Sequence, residues 1–164
     1  MTFSLSARSR ANMAGVHPDM IRIVEGAIVS SAVDFGVAAP AVRTAAEQLA
    51  LFKLGRTQKD GIHSKSNHQP HADGMGHAVD LTPYAGGMFI ITERAWDYYP
   101  AVASAMSRSA KALGLASRLM WGCNWLETMD RYGSDPADMR AAIERYKRAH
   151  AGPDFIDGPH FQLT

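Results

Sequence analysis

The 164-residue sequence lacks most of the features that assign a protein quickly to a class. It has one cysteine, Cys123, so no internal disulfide can form and the fold need not depend on an oxidising compartment. No run approaches the roughly 20 apolar residues of a membrane-spanning helix, so no membrane anchor is expected. The first ten residues carry no apolar core of signal-peptide length. The protein is therefore expected to be made in the cytoplasm, and to act outside it only after release. Charge of one sign is also missing: the net charge is +1 with histidine neutral. That gives no argument for nucleic acid, which usually needs a concentrated basic patch. There are no repeats, no low-complexity segment, and no His-Glu-x-x-His helix of the kind that holds zinc in many peptidases.

What is present is histidine and aspartate, gathered in one place. Between Ser66 and Asp80 lie His68, His71, Asp73, His77 and Asp80 itself. Such density marks a candidate metal site. With 46% apolar and 20% charged residues, the rest reads as an ordinary globular scaffold, most simply one domain over 1–164.

Apolar spacing after Pro18 predicts an amphipathic helix over 18–31. A short strand over 32–37 and a helix over 41–54, stopped by Gly55, follow. Arg43 falls in the first turn of that helix, where a cation opposes the helix dipole. It is either an ordinary exposed arginine or a group placed to meet an anionic ligand. Residues 55–76 have no apolar period and read as a long loop, a length usually associated with function or disorder. A strand over 77–82, a turn over 84–87 and a strand over 88–91 make a hairpin. A helix over 98–113, a strand over 118–121, a helix over 136–150 capped by Asp135, and a short terminal strand complete the chain. The arginines and lysine of the 136–150 helix read as a solvated face. The class expected is α+β: a small, mostly antiparallel sheet with helices packed on it and the metal site on a sheet face.

Alternation along strands sorts the candidate ligands. Val79 and Leu81 are the obvious core pair, so Asp80 faces away from the core, and His77 is poorly placed to share its metal. In the terminal strand Phe161 and Leu163 share one face, His160 and Gln162 the other. Asp80 and His160 are then able to meet across neighbouring strands, with His68 reaching in from the loop. Two histidines and a carboxylate are a common catalytic zinc set with a position left for water. Asp157, three residues before His160, is placed to serve as a carboxylate beside the metal. His17, His63 and His150 read as packing or surface residues, His71 is left open, and Asp73 in Asp-Gly is read as a turn residue.

These residues resemble the zinc D-alanyl-D-alanine carboxypeptidases and L-alanyl-D-glutamate endopeptidases, and among them the single-domain phage endolysins. That family shows Ser-x-His-x-x-Gly-x-Ala-x-Asp, then Trp-Gly-Gly-Asp-Trp, then Asp-x-Pro-His-Phe. Ser66-Asn67-His68 matches the start of the first pattern and Gly76-His77-Ala78-Val79-Asp80 its end. Trp121-Gly122-Cys123-Asn124-Trp125 is close to the second, and Asp157-Gly158-Pro159-His160-Phe161 matches the third. Arg43-Thr44 with Glu47-Gln48 resembles the family's substrate-binding segment. The resemblance implies zinc on His68, Asp80 and His160, Asp157 as general base, Arg43 as a catalytic group that binds or polarises the substrate's carbonyl or carboxylate, and further substrate contacts from Gln48 and Ser66. It further implies a monomeric lysin that cuts the peptidoglycan stem peptide between L-Ala and D-Glu, in the periplasm of the host. A D-Ala-D-Ala carboxypeptidase is the alternative within the fold. A metal-dependent nuclease is disfavoured because basic residues do not cluster beside the loop, and a non-catalytic metal-stabilised binding module is the remaining class.

Two departures stand out. Five more residues separate His68 from Gly76 than in the family pattern, and an ungapped count would put Asp73 at the histidine position. Cys123-Asn124 replaces Gly-Asp, and an insertion carries the 136–150 helix.

Overall fold

A computed structural model describes residues 2–164. Among these residues two antiparallel sheets and five α-helices share one core, in agreement with the α+β expectation. Helix α2 (Pro18–Ser30) begins as its sequence suggests. Pro18 occupies the first turn, and the His17 ring caps the helix by accepting from the Asp19 N–H. Its buried face is Met20, Ile23, Val24, Ala27 and Ile28. It packs on α4 (Tyr99–Ala112) where Gly26 lies against Ser109, and a Cβ at Gly26 would strike that hydroxyl.

Helix α3 (Ala45–Lys53) starts four residues later than its composition predicts. The cause is a capping box: Thr44 accepts from the Glu47 N–H while the Glu47 carboxylate accepts from the Thr44 N–H at 2.7 Å. Arg43 therefore lies outside the helix, before its cap, and is not subject to the first-turn dipole penalty. The strand expected over 32–37 shrinks to β1 (Phe35–Gly36). Helix α1 (Ala7–Asn12), capped by Ser6, forms in a stretch whose mixed composition gave no signal.

The stretch expected to be one strand over 77–82 is divided. Strand β2 (Ala78–Asp80) belongs to one sheet and β3 (Thr82–Ala85) to the other, with the change of sheet at the buried Leu81. Strand β3 pairs with β1 and with β4 (Met88–Phe89), turning at Gly86-Gly87, both at positive φ. The larger sheet orders its strands β2, β7 (His160–Leu163), β5 (Leu119–Trp121) and β6 (Asn124–Thr128). Helix α5 (Pro136–Ala149) packs on α4 and β6. Its Arg145 is not simply solvated: it pairs with Glu127 at 3.0 Å and lies over the Tyr132 ring.

Trp121 and Phe161, fully buried and stacked, anchor β5 to β7 on the core side. Burying a side chain of this size contributes about 1.5–3 kcal/mol. The opposite face of the same strands is where the site forms.

Candidate metal centre and active site

Register fixes two of the candidate ligands. Asp80 and His160 are directly paired residues of β2 and β7, and their neighbours Val79, Phe161 and Leu163 are buried in the core. Alternation then turns Asp80 and His160 the other way. His68 comes from the loop, which is threaded by hydrogen bonds rather than by apolar packing. The Arg43 N–H donates to the His68 carbonyl, the His77 N–H to the Asn67 carbonyl, and the Gln69 amide bridges Ser66 and Gly61.

The three side chains converge. His68 Nε2 lies 3.3 Å from Asp80 Oδ1, His160 Nδ1 lies 3.2 Å from the same oxygen, and the two ring nitrogens are 3.2 Å apart. Each imidazole has an acceptor on its far side. His68 Nδ1–H donates to the Ala41 carbonyl at 2.7 Å, and His160 Nε2–H donates to Gln162 Oε1 at 3.1 Å. Those bonds leave the inward nitrogens as lone pairs. Two lone pairs and a carboxylate oxygen facing one point are a set that holds a divalent cation, and the outer acceptors supply the orientation that metal-binding histidines usually have. The donors fit a borderline metal such as zinc better than a hard one such as magnesium. His68 is brought to this point; Asp73, the competing position in an ungapped count, pairs with His77 instead.

Asp80 Oδ2, the oxygen turned away from the imidazoles, accepts from Arg43 Nη2 at 2.6 Å. Burial opposes the charge on Asp80, but the facing imidazoles outweigh it and hold the carboxyl well below the usual range. Gln48 is fully buried. Its Nε2 donates to Thr57 Oγ1 and the Lys59 carbonyl, and its Oε1 accepts weakly from Arg43 at 3.5 Å. It does not line the cleft, whereas Ser66 does. The Ser66 hydroxyl accepts from the His68 N–H at 3.3 Å.

Asp157 lines the same cleft beside His160. Burial first, then the negative Asp80, push its pKa up. The strap that carries it stands on the tryptophan motif. Trp121 Nε1–H donates to the Gly158 carbonyl at 2.8 Å, and the Asp157 N–H donates to the Gly122 carbonyl at 2.9 Å. A Cβ on Gly122 would come within 2.5 Å of the Asp157 carbonyl oxygen. Cys123 and Asn124, the departures from the family pattern, are both buried. Burial pushes the thiol pKa up, and the Asn124 amide donates to the Glu127 carboxylate within β6 and to the Ala142 carbonyl of α5. Neither lines the cleft, and Asn124 joins the strand to the inserted helix.

Gly158 is equally constrained, because a methyl group there would press into the Tyr99 ring. The Gly158→Ala protein is expected to lose about 1–3 kcal/mol of stability. It should also lose activity, because the same strap holds Asp157. Thermal melting and turnover on one preparation check both.

The cleft has a volume of about 870 Å³. Its walls include groups to which the sequence gave no role in the site. Trp125 is tilted against His160 at 5.3 Å and hydrogen-bonded to the Phe155 carbonyl, and Tyr146 and His150 come from the insertion. Arg56, Lys59 and Lys65 join Arg43 on the wall, so basic residues do gather beside the loop once it is folded.

A family model for phage L-alanyl-D-glutamate peptidase matches residues 1–164. The chain belongs to this family. Among solved structures, the Serratia marcescens L-Ala D-Glu endopeptidase ChiX is similar to this family member at 29% identity with a TM-score of 0.63. The match covers 96% of this chain and 87% of ChiX. No curated protein matches the peptidase. Among the described residues, no helix of the peptidase is long and apolar enough to cross a membrane.

Proposed function

We propose that the protein is a zinc-dependent endopeptidase that hydrolyses the L-Ala–D-Glu bond of the peptidoglycan stem peptide. The observation that carries this reading is the facing of two imidazole lone pairs and one carboxylate oxygen inside a cleft, with each imidazole held from behind. Family membership and the likeness to ChiX support the bond and the substrate class. The cationic wall of Arg43, Arg56, Lys59 and Lys65 suits a peptide that carries free carboxylates.

His68, Asp80 and His160 would hold the zinc ion. Bound there, it would supply Lewis acidity to the scissile carbonyl and to the attacking water. Asp157 takes the proton from that water on its carboxylate and returns it to the departing D-Glu amine. Its raised pKa brings it closer to the pH at which it must both accept and release a proton. Arg43 neutralises Asp80 and offers its remaining N–H groups to oxygen charge that develops on the substrate. Ser66 faces the cleft as a substrate contact. Gln48 acts behind Arg43, holding its guanidinium and the 57–61 loop.

Incubating purified peptidoglycan with the protein, then analysing the products by mass spectrometry, is expected to show new L-Ala carboxyl ends and D-Glu amino ends. Intact walls in the presence of bound zinc would sink the proposal. Release of D-Ala alone would replace it with carboxypeptidase action. Gln48→Ala is expected to raise KM and lower kcat together, because Arg43 loses one of its supports. If Gln48 bound substrate directly and uniformly, only KM would change.

A further inference from the structure

A second cluster of ligand-type side chains lies outside the cleft. His17, Asp73 and His77 each offer one donor atom within 4.8 Å of the others. None of the three lines the cleft. Asp73 Oδ2 meets His77 Nε2 at 2.7 Å, and its Oδ1 accepts from the Met75 N–H at 3.0 Å, which fixes the carboxylate. The His17 ring meets the His77 ring edge-on at 5.0 Å, and His71 stacks on His77 at 4.1 Å. His71 Nε2 is buried without a hydrogen-bond partner among the described residues. An Asp–His ion pair explains two of these side chains. It does not explain why a third imidazole and a fourth crowd the same pair.

The backbone brings them together deliberately. Val16 bridges Gly76 in parallel fashion, the His17 N–H donates to the Gly76 carbonyl, and the Gly76 N–H donates to the Gly15 carbonyl. The start of α2 is thereby fixed beside the segment that separates His68 from Asp80. That segment contains the five residues in excess of the family pattern, and it also contributes His71 and Asp73. Asp19 stands behind His17, 3.9 Å from its Nδ1, and is itself held by Arg118 at 2.8 Å. In the free helix that Nδ1 accepts from the Asp19 N–H, so a cation bound at Nε2 requires the ring proton to move to Nδ1, at the cost of that cap, where it faces the Asp19 carboxylate.

We propose that His17, Asp73 and His77 form a second site for a zinc-class divalent cation, structural in role, which pins the loop between His68 and Asp80 to the start of α2. Two imidazoles and one carboxylate select zinc over magnesium or calcium, which prefer oxygen. With only three protein donors, the fourth position falls to water or to a repositioned His71.

The test is zinc content of the full chain, stripped with chelator, reloaded with Zn²⁺ and dialysed. The wild-type protein is expected to hold two ions per chain. The Asp73→Asn and His160→Ala proteins should hold one each, and the double variant none. In the His160→Ala background, Zn²⁺ should raise the melting temperature, and this rise should vanish when Asp73→Asn is added. His17→Ala provides a second route to the same loss if Asp73→Asn does not fold. One ion per chain that survives Asp73→Asn and disappears in His160→Ala overturns the second site and leaves the cleft site standing. One ion that survives His160→Ala and disappears in Asp73→Asn supports the second site and overturns zinc binding in the cleft.

Discussion

Exchanging Asp157 for Asn is expected to lower turnover by about 10²–10⁴-fold, the usual contribution of a positioned proton-transfer group. Zinc in the cleft should remain, because His68, Asp80 and His160 converge without Asp157. The same exchange should stabilise the metal-free protein. Burial and Asp80 raise the Asp157 pKa in the folded state. A carboxyl with a raised folded pKa favours the fold when protonated, and that contribution is lost as pH rises through the folded pKa. At neutral pH the charged Asp157 is therefore a net cost, which Asn removes. The melting temperature of the chelator-treated variant should exceed that of the wild type at pH 7. The difference should close as pH falls below the ordinary carboxylate range. A lower melting temperature at pH 7, or full activity, would contradict the assigned role.

Replacing His160 by Ala is expected to remove zinc from the cleft and reduce peptidoglycan hydrolysis to background. It deletes a ligand and leaves Asp80 with only His68 and Arg43. A graded companion is Gln162→Leu, which leaves every ligand but frees the His160 ring. Second partners of this kind are worth about 10–100-fold in metal affinity, so its activity should return at high zinc, whereas that of His160→Ala should not. Acid should release the cleft metal from the wild-type protein. Burial works against a proton on His160, but the hydrogen bond and charge of Asp80 prevail and raise its pKa. Protons therefore compete with the metal from a higher pH than an isolated imidazole would allow. Zinc content measured across a pH series checks this.

Much of the site was legible because strand alternation is a strict rule. Val79 and Leu81 had to face a core, which turned Asp80 outward, and Phe161 and Leu163 did the same for His160. Gln162, on the His160 face by the same count, proves to be the acceptor behind that ring. Loop residues follow no such period. His68 was preferred to Asp73 on the Ser66-x-His68 match rather than on spacing, and the Ala41 carbonyl behind the His68 ring and the His77 ring on Asp73 agree with that choice. The cations of the cleft were missed for the same reason: Arg56, Lys59 and Lys65 lie close together in the loop, but no period shows that they share a wall with Arg43 until Gln48 and Gln69 fold the loop back. Helix α1 was invisible because one Ser6 cap and one turn of mixed residues carry no apolar stripe. The start of α3 was misplaced because its alanines favour helix on both sides of the Thr44 cap.

Strand β7 lies between β2 and β5, although it follows both in the sequence. Two of the three cleft donors thus come from residues 80 positions apart, and they meet through the pairing of β2 with β7. Without β7 the larger sheet is split, with β2 on one side and β5–β6 on the other, and Asp80 has no His160 beside it. The donor cluster and the closure of the sheet are therefore one event, and unpairing this strand should abolish both together.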